Sequence, residues 1–415
     1  MKRFPTCLYF LILLLSTAAP GAGAEKVMSL QQCVDSALLK NGLVTAASLE
    51  IEKAGILRGT AFDPPKTGIT LKQETTGGGG PENGVTFSQD FEFPTVYLEK
   101  SKVLAARENI ERSNYNIVVN DLKYEVISQY HSLLFQRELL ALNSRLEEMY
   151  ERFGKLATVR YEDGDCSALV KMNAIRMLEN NRQERIGLLR DFSTGSERLR
   201  YLTGSSEAVV PAETPLAPIV LLPDSLNFSY ETTPGGLLAE SEIALSDRNV
   251  VLSRHELLPD IYLAATVQAL IKSFNPYHID RTRFEQGNFM GFEVGISVPL
   301  FFGAQRSKIK AAEAEVNIAR LKKETEAMEA ENRFRTLVGQ LEKSAGRLSY
   351  FTSTALAQAD EIKRLAEISY EYGEIDYMEY INNLETYYSI HREYLEAVDE
   401  YNQTVLKINH LIGQQ

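Results

Sequence analysis

The sequence predicts a mainly α-helical protein with a small membrane-type β portion, built as two internal repeats. In each repeat, a segment that alternates apolar and polar residues runs through a proline into a polar helical stretch that is too long for a globular core. The two prolines, Pro94 and Pro299, are 205 positions apart (299 − 94), and the glycines that end the stretches, Gly164 and Gly373, are 209 apart (373 − 164). We therefore expect an elongated molecule with strands at one end.

The first 24 residues have the pattern of a secretory signal peptide. Lys2 and Arg3 form a positive start, Leu8 to Leu15 is an apolar run, and Ala22-Gly23-Ala24 is a cleavage site of small residues. The apolar run is too short to span a bilayer, and no cysteine directly follows the expected cleavage site. An exported chain without a lipid anchor is predicted.

Charge and composition exclude several classes of protein. Loss of the two basic residues in the signal peptide moves the formal charge from −12 to −14 (−12 − 2), whereas nucleic-acid binding needs a basic face. Cys33 and Cys166 are the cysteines that remain; they could pair with each other, but the composition favours two free thiols. The 5 histidines lack the spacing of metal ligands, so we predict no metal site and no cofactor.

The elements of the first repeat follow from periodicity and from breakers. Ser29 can cap a helix that Pro64-Pro65 stops, and the strands place Val85 and Phe87 on the face opposite Thr86. The predicted order is a helix over about 30–60, strands over 67–73 and 85–93, a long helix over 96–160 and a half-length helix over 167–202.

The second repeat has the same order of elements. It is predicted to contain a helix over 237–257, strands over 261–271 and 292–298, a long helix over 304–370 and a half-length helix over 377–412. We assign 25–202 to the first repeat, 203–235 to a linker with little regular structure and 236–415 to the second repeat.

The predicted lengths fit one geometry. A helix of about 65 residues rises about 100 Å, so each half-length helix needs a second helix stacked on its end to cover the same height. No mature segment approaches the roughly 20 apolar residues of a membrane helix, so strands would have to span lipid as a closed barrel. Four strands cannot close a barrel, so the chain would have to oligomerise. Two copies would supply eight strands and three copies twelve.

Several segments resemble the TolC-like outer-membrane efflux factors, and the resemblance covers nearly the whole mature chain. The matching segments are the opening helix 28–38, the helix-to-strand junction 258–263, the strand-to-helix junction 294–303 and the tip turn 369–373. Residues 295–306 are most similar to the heavy-metal efflux branch, which is served by resistance-nodulation-division pumps. The resemblance implies a homotrimer with a twelve-stranded outer-membrane barrel and a periplasmic helical tunnel.

A protein of this family is a passive exit duct that works with a periplasmic adaptor and an inner-membrane pump. Its cargo would be metal cations, or alternatively drugs or a protein secreted by a type I system. An enzyme and a plain coiled-coil filament are the rival classes. The sequence contains none of the catalytic motifs that would indicate an enzyme. A coiled-coil filament would not contain the four predicted strands.

The resemblance also implies a channel gate at the second tip. Tyr370, Gly373 and Glu379 match its tyrosine, turn and acidic positions, whereas Asn382 stands at a further acidic position and Ile375 at the usual arginine position. The gate is therefore expected to have fewer charged contacts than is usual. Glu379 is either part of a ring that attracts cations or an ordinary solvated helix charge.

The first tip is expected to dock the adaptor. Arg160, Tyr161 and Gly164 match the family's tip motif, and the glycine also suits a plain turn between two helices.

Overall fold

The computed structural model describes residues 25–75, 81–212, 214–221, 226–269 and 289–414. The expected signal peptide, most of both connections between the paired strands (76–80 and 270–288) and the last two residues of the strand predicted over 261–271 lie outside these ranges. The helices are α1 Leu30–Lys40, α2 Gly42–Leu57, α3 Pro94–Glu162, α4 Ala168–Thr203, α5 Pro234–His255, α6 Gly303–Tyr350, α7 Leu356–Glu371 and α8 Tyr377–Ile412. The strands are β1 Lys26–Met28, β2 Gly68–Thr75, β3 Pro81–Phe91, β4 Val209–Pro211, β5 Asp260–Ala269 and β6 Phe289–Ser297.

Two rods of equal length dominate the molecule. Helix α3 has 69 residues, and α6, a five-residue π-helical turn at Phe351–Ala355 and α7 form a second rod that starts 209 positions later (303 − 94) and ends 209 positions later (371 − 162). Helices α4 and α8 have 36 residues each and are also offset by 209 (377 − 168). Each rod is about 100 Å long, far more than the thickness of a bilayer.

The strand-to-helix junctions account for the smaller offset between the two prolines. Pro94 is the first residue of α3, a position where its missing N–H costs nothing, whereas Pro299 lies four residues before α6 (303 − 299). The second junction therefore contains four extra residues, and the helices beyond it keep the 209-residue offset.

The largest core lies where the first rod packs against α1 and α4. Leu122, Val126 and Leu133 of α3 are 0–6% exposed and follow the three- and four-residue spacing of one helix face. Cys33 of α1 and Leu199 of α4, both 0% exposed, pack against this face. Burial of this apolar stripe holds α1 and α4 against the rod.

Each half-length helix ends against a shorter helix of the same half of the chain. The turn that ends α8 lies against the start of α5, because a Cβ on Gly413 would come 2.8 Å from the Cδ of Pro234. The turn that ends α4 meets the end of α1 in the same way, where a Cβ on Gly204 would come 2.8 Å from the Cβ of Lys40. Both glycines have a positive φ, so each ends its helix in the left-handed conformation.

Two parts of the fold differ from the prediction. The single helix expected over about 30–60 is broken at Asn41, which is extended (φ −71°, ψ 126°) and caps α2 by accepting a hydrogen bond from the N–H of Leu43 at 2.9 Å. The linker 203–235 contains β4, which pairs in parallel with β1. Val209 is 0% exposed, so these three residues are strand because they fill the core, not because of a local pattern.

The remaining strands form one antiparallel sheet with the order β2-β3-β5-β6. The central pair, β3 and β5, joins the two halves of the chain, and Thr86 faces Thr266 there with their hydroxyl oxygens 3.0 Å apart. The strands at the two edges, β2 and β6, have no further partner among the described residues. The sheet is therefore open on both sides within one chain.

Candidate functional site: the helical tips and the open sheet

The two tips are turns with the same backbone hydrogen bonds. In the first turn, the N–H of Asp165 donates to the carbonyl of Arg160 at 2.7 Å, and in the second the N–H of Glu374 donates to Ser369 at 2.8 Å. Gly164 has φ +81° and Gly373 has φ +72°. Apart from the adjoining residues, no heavy atom of the described chain lies within 4 Å of a Cβ placed on either glycine, so the conformation, and not lack of space, requires glycine.

A polar side chain caps the helix that leaves each tip. The Ser167 hydroxyl accepts from the N–H of Val170 at 3.4 Å, and the Asp376 carboxylate accepts from the N–H of Glu379 at 2.8 Å. The carboxylate at the second tip also faces the positive end of the α8 dipole. Asp376 therefore orders the backbone that carries the predicted gate residue.

The predicted docking residues lie together at the first tip. The N–H of Gly164 donates to the carbonyl of Tyr161 at 3.2 Å, and Arg160 supplies the carbonyl that closes the turn. The Tyr161 ring is 43% exposed, with the Lys171 ammonium 4.9 Å from its centroid. This tip presents an aromatic ring and two cations to solvent.

The predicted gate residues divide into two groups. The N–H of Gly373 donates to the carbonyl of Tyr370 at 3.1 Å, and the Tyr370 ring packs inward against other rings. Glu379 and Asn382 instead lie three residues apart on the exposed face of α8. No ion pair of Glu379 occurs in the described part of the chain. Within the described residues, Tyr370 therefore forms no hydrogen bond with Glu379 or Asn382.

Three aromatic residues outside the predicted gate, Tyr377, Tyr380 and Phe153, form a cluster with Tyr370. The Tyr370 ring stacks on Tyr380 with centroids 4.9 Å apart and tilts against Tyr377 at 5.2 Å. Tyr377 in turn contacts Phe153 of α3 at 5.0 Å, and Phe153 is fully buried. We call these four residues the tip cluster. It joins α3 of the first hairpin to α7 and α8 of the second.

Burial sets the ionisation of the tip cluster. Desolvation, with the neighbouring Tyr370 and Tyr380, raises the pKa of Tyr377 to about 12, and the Arg160 and Arg152 cations oppose this rise. Burial is also the main reason why the pKa of Tyr380 is raised. Both phenols are therefore neutral at physiological pH.

Polar contacts connect α8 to the first hairpin above the tip cluster. The Tyr150 hydroxyl donates to the Glu385 carboxylate, and the Arg392 guanidinium pairs with Glu184. Desolvation and then the bond to Glu385 raise the pKa of Tyr150, since both favour the neutral phenol. These residues surround a cavity of about 240 Å³ that Asn143 also lines.

The cysteines are free, as predicted. Cys33 is buried in the core beside α3, where desolvation raises its pKa to about 11. Cys166 follows the first tip, and its thiol donates to the carbonyl of Ala157 at 3.4 Å. Within the described ranges, no group of three or more His, Cys, Asp or Glu residues is placed to hold a metal ion.

At the other end of the rods, one face of the sheet is apolar and exposed. The clearest case is the edge strand β6, where Phe292 is 76%, Val294 75% and Ile296 71% exposed, and Leu71 of β2 is 80% exposed. Val294 faces Leu263 across the β5–β6 pair, so the apolar residues share one side of the sheet. Among the described residues, no helix is both long enough and apolar enough to cross a membrane.

Tall paired rods that end in an open sheet with one apolar face are the main features of this fold. Known outer-membrane proteins have this fold. A membrane protein from Pseudomonas aeruginosa has 18% identity and a TM-score of 0.75, with 96% of each chain covered. CusC has 14% identity, the same TM-score and the same coverage. The CmeC outer membrane channel of Campylobacter jejuni has 12% identity and a TM-score of 0.71, over 100% of this chain and 94% of CmeC.

A family match in the second half of the sequence agrees with this fold. Residues 237–414 match the outer membrane efflux protein family, while no curated protein sequence matches the chain significantly. This match, which spans the second repeat, confirms the family resemblance predicted from the junctions and tips. The matched family consists of outer-membrane channels and not of enzymes, which agrees with the predicted class and with an outer-membrane location.

Proposed function

We propose that three copies of this chain form the exit duct of a tripartite efflux system, with a twelve-stranded barrel in the outer membrane and a helical tunnel in the periplasm. One observation carries the proposal: a four-stranded sheet, open at both edges and apolar on one face, stands at the end of two rods of equal length. Open edges leave backbone groups unpaired, which lipid does not tolerate, so a further copy must pair with them.

The duplicated architecture supports a tubular assembly. The 209-residue offset between the two rods, and between α4 and α8, is what two copies of one strand-and-hairpin unit would give (303 − 94 and 377 − 168). Three chains would then contribute six such units to one wall. The polar side of the sheet, with Thr86 and Thr266, faces the lumen in this arrangement, and the apolar side faces lipid.

The exposed side of α8 is the part of the tunnel that we expect to meet the cargo. Over 379–396 its exposed residues recur every three or four positions, and all of them are polar. They are Glu379, Asn382, Thr386, Ser389, Glu393 and Glu396. A lumen lined in this way carries hydrated cations more readily than anions, because its carboxylates are fixed and solvated.

We propose that the tips meet the other parts of the system. The first tip, with Arg160, Tyr161 and Gly164, docks a periplasmic adaptor, and the second, with Tyr370, Gly373, Glu379 and Asn382, forms the gate. The cargo that we favour is a metal cation delivered by a resistance-nodulation-division pump. Residues 295–306 support this branch by their similarity, and the exposed carboxylate of Glu379 is compatible with it.

Two measurements test the proposal. Detergent extraction of outer membranes should yield a particle with three times the mass of the mature chain, and a soluble periplasmic monomer would contradict the duct. Deletion of the gene should then sensitise cells to zinc, copper or cobalt. Sensitivity to a drug panel alone would replace the metal cargo with a drug cargo, whereas loss of a secreted protein would indicate a type I system.

A further inference from the structure

We propose that the tip cluster, Phe153, Tyr370, Tyr377 and Tyr380, mechanically couples the two tips of one chain, and that Phe153 and Tyr377 are positioning residues for Tyr370. The proposal rests on the proposed channel function. It adds a residue of the first hairpin, Phe153, to the determinants of the gate on the second hairpin.

The contacts form a continuous path from α3 to α7. Phe153 belongs to α3, Tyr370 to α7, and Tyr377, between them, to α8. The centroid distances along the path are 5.0 Å from Phe153 to Tyr377 and 5.2 Å from Tyr377 to Tyr370, and Tyr380 lies 5.9 Å from Tyr377. In the described part of the chain, Tyr377 and Tyr380 make all the ring contacts of Tyr370.

The anchor of this path is well defined by packing. Phe153 is 0% exposed and shares its core with Ala157 and Ala174 of the first hairpin and with Ile381 of α8. A fully buried ring in a close-packed core has one position, so a shift of α3 must move Tyr377 or open a gap beside it. Displacement of the first tip is thereby transmitted to the ring that holds Tyr370.

The predicted docking residue Arg160 lies on the same path. It follows Phe153 by seven residues, which is about two helical turns, so the two residues lie on nearly the same side of α3. Its cation is close enough to lower the pKa of Tyr377 against the effect of burial. An adaptor that binds Arg160 would therefore act within reach of the tip cluster.

The coupling is one of packing and not of charge. The tip cluster holds three phenols and one phenyl ring, and both Tyr377 and Tyr380 have pKa values raised above the ordinary value by burial. Removal of the Tyr377 hydroxyl should therefore leave the coupling intact, whereas removal of its ring should not. This difference makes the proposal testable with conservative variants.

The experiment measures single-channel conductance of the full-length mature protein in planar bilayers, without any partner protein. We expect Phe153→Leu and Tyr377→Leu to raise the resting conductance several-fold, and the double variant to conduct no more than the larger single variant, because the residues act in series. Tyr377→Phe should conduct like wild type, since its ring remains. Phe334→Leu is the matched control, because Phe334 is buried in a stacked pair with Phe228 that belongs to a different cluster.

The outcomes separate the coupling from the channel function and from misfolding. Leucine variants that assemble and conduct like wild type overturn the coupling, and so does a similar rise for Phe334→Leu. A wild-type protein that forms no channels contradicts the proposed function itself. If Phe153→Leu does not assemble, Tyr377→Leu and Tyr380→Leu, at partly buried positions, decide the matter by the same measurement.

Discussion

At the scale of single residues, the tip glycines show why the turns were predictable. Gly164 and Gly373 end their helices in the left-handed region, with φ of +81° and +72°, and open space surrounds both. An L-residue there loses about 1–2 kcal/mol because its Cβ approaches the following carbonyl. The need for glycine is local, so a sequence pattern is enough to reveal it.

We therefore expect Gly164→Ala to lower the thermal midpoint of the detergent-solubilised protein, with a cost of about 1–2 kcal/mol. Gly154→Ala is the matched control: Gly154 lies inside α3, and a Cβ added there would also have no heavy atom within 4 Å. Alanine should stabilise that helical position by up to about 1 kcal/mol. Equal effects of the two substitutions would argue against strain at the turn.

Glu379 is the second residue whose role is testable by itself. Its side chain is exposed on α8, and no described ion pair neutralises it. In the proposed trimer three such carboxylates form a ring, so Glu379→Ala should lower cation selectivity, measured as a shift in reversal potential across a salt gradient. Glu315→Ala, an exposed carboxylate near the sheet end of α6, should leave the reversal potential unchanged. An unchanged value for Glu379→Ala would make it an ordinary solvated charge.

The aromatic contacts of the tip cluster were not predictable at this scale. Tyr377 and Tyr380 fit the helical packing pattern, but nothing in the sequence connects Phe153 with Tyr377, which is 224 positions away (377 − 153). That contact depends on how α8 lies against α3. Tertiary packing, and not periodicity, decides which rings meet.

At the scale of elements, local rules predicted long helices well and interruptions poorly. A rod such as α3, with no internal proline, is specified by its own sequence. The break at Asn41 depends on one cap, and β4 is strand because Val209 is buried against the core and pairs with β1. The π-helical turn at Phe351–Ala355 buries Phe351 in a small cluster with Ala397 of α8, which the sequence pattern does not indicate.

A buried polar pair inside the first hairpin gives a prediction for the elements. Asn143 of α3 and Asn181 of α4 are 2% and 3% exposed, and the amide of Asn143 donates to the Oδ1 of Asn181 at 2.9 Å. Asn143→Leu alone should cost about 1–3 kcal/mol, because the Oδ1 of Asn181 is left buried without its donor, while the Asn181 amide still donates to the backbone carbonyl of residue 143. The double leucine variant should recover most of this loss.

The measurement is a double-mutant cycle on the thermal midpoint of the detergent-solubilised protein. Strong coupling between the two substitutions is expected, since the residues are in direct contact. Additive effects of Asn143→Leu and Asn181→Leu would mean that the amides do not depend on each other. Such a pair is also a candidate for fixing the register of α3 against α4, as a single buried Asn does in coiled coils.

At the scale of the whole molecule, neither the open sheet nor the tall rods are complete within one chain. The sheet has four strands with two free edges, and its apolar face is exposed. The strand count predicted that more than one copy is needed to close the sheet into a barrel. It did not predict whether two or three copies are needed, because eight and twelve strands can both pair all their backbone groups. Only the family resemblance implies three copies. The number of copies depends on contacts between chains, which periodicity and length do not reveal.

The face of the sheet that we propose to meet lipid gives the sharpest test of the assembled molecule, because two neighbours in β6 point to opposite sides. Val294 is on the apolar face and 75% exposed, whereas Glu293 is on the polar face. Val294→Lys should cost about 2–4 kcal/mol per chain if it lies near the middle of the bilayer, and should deplete the heat-resistant oligomer in outer membranes. Glu293→Lys introduces the same residue facing the lumen and should leave the amount of oligomer unchanged. If both lysine variants deplete the oligomer equally, or if neither does, the Val294 face of β6 does not contact lipid.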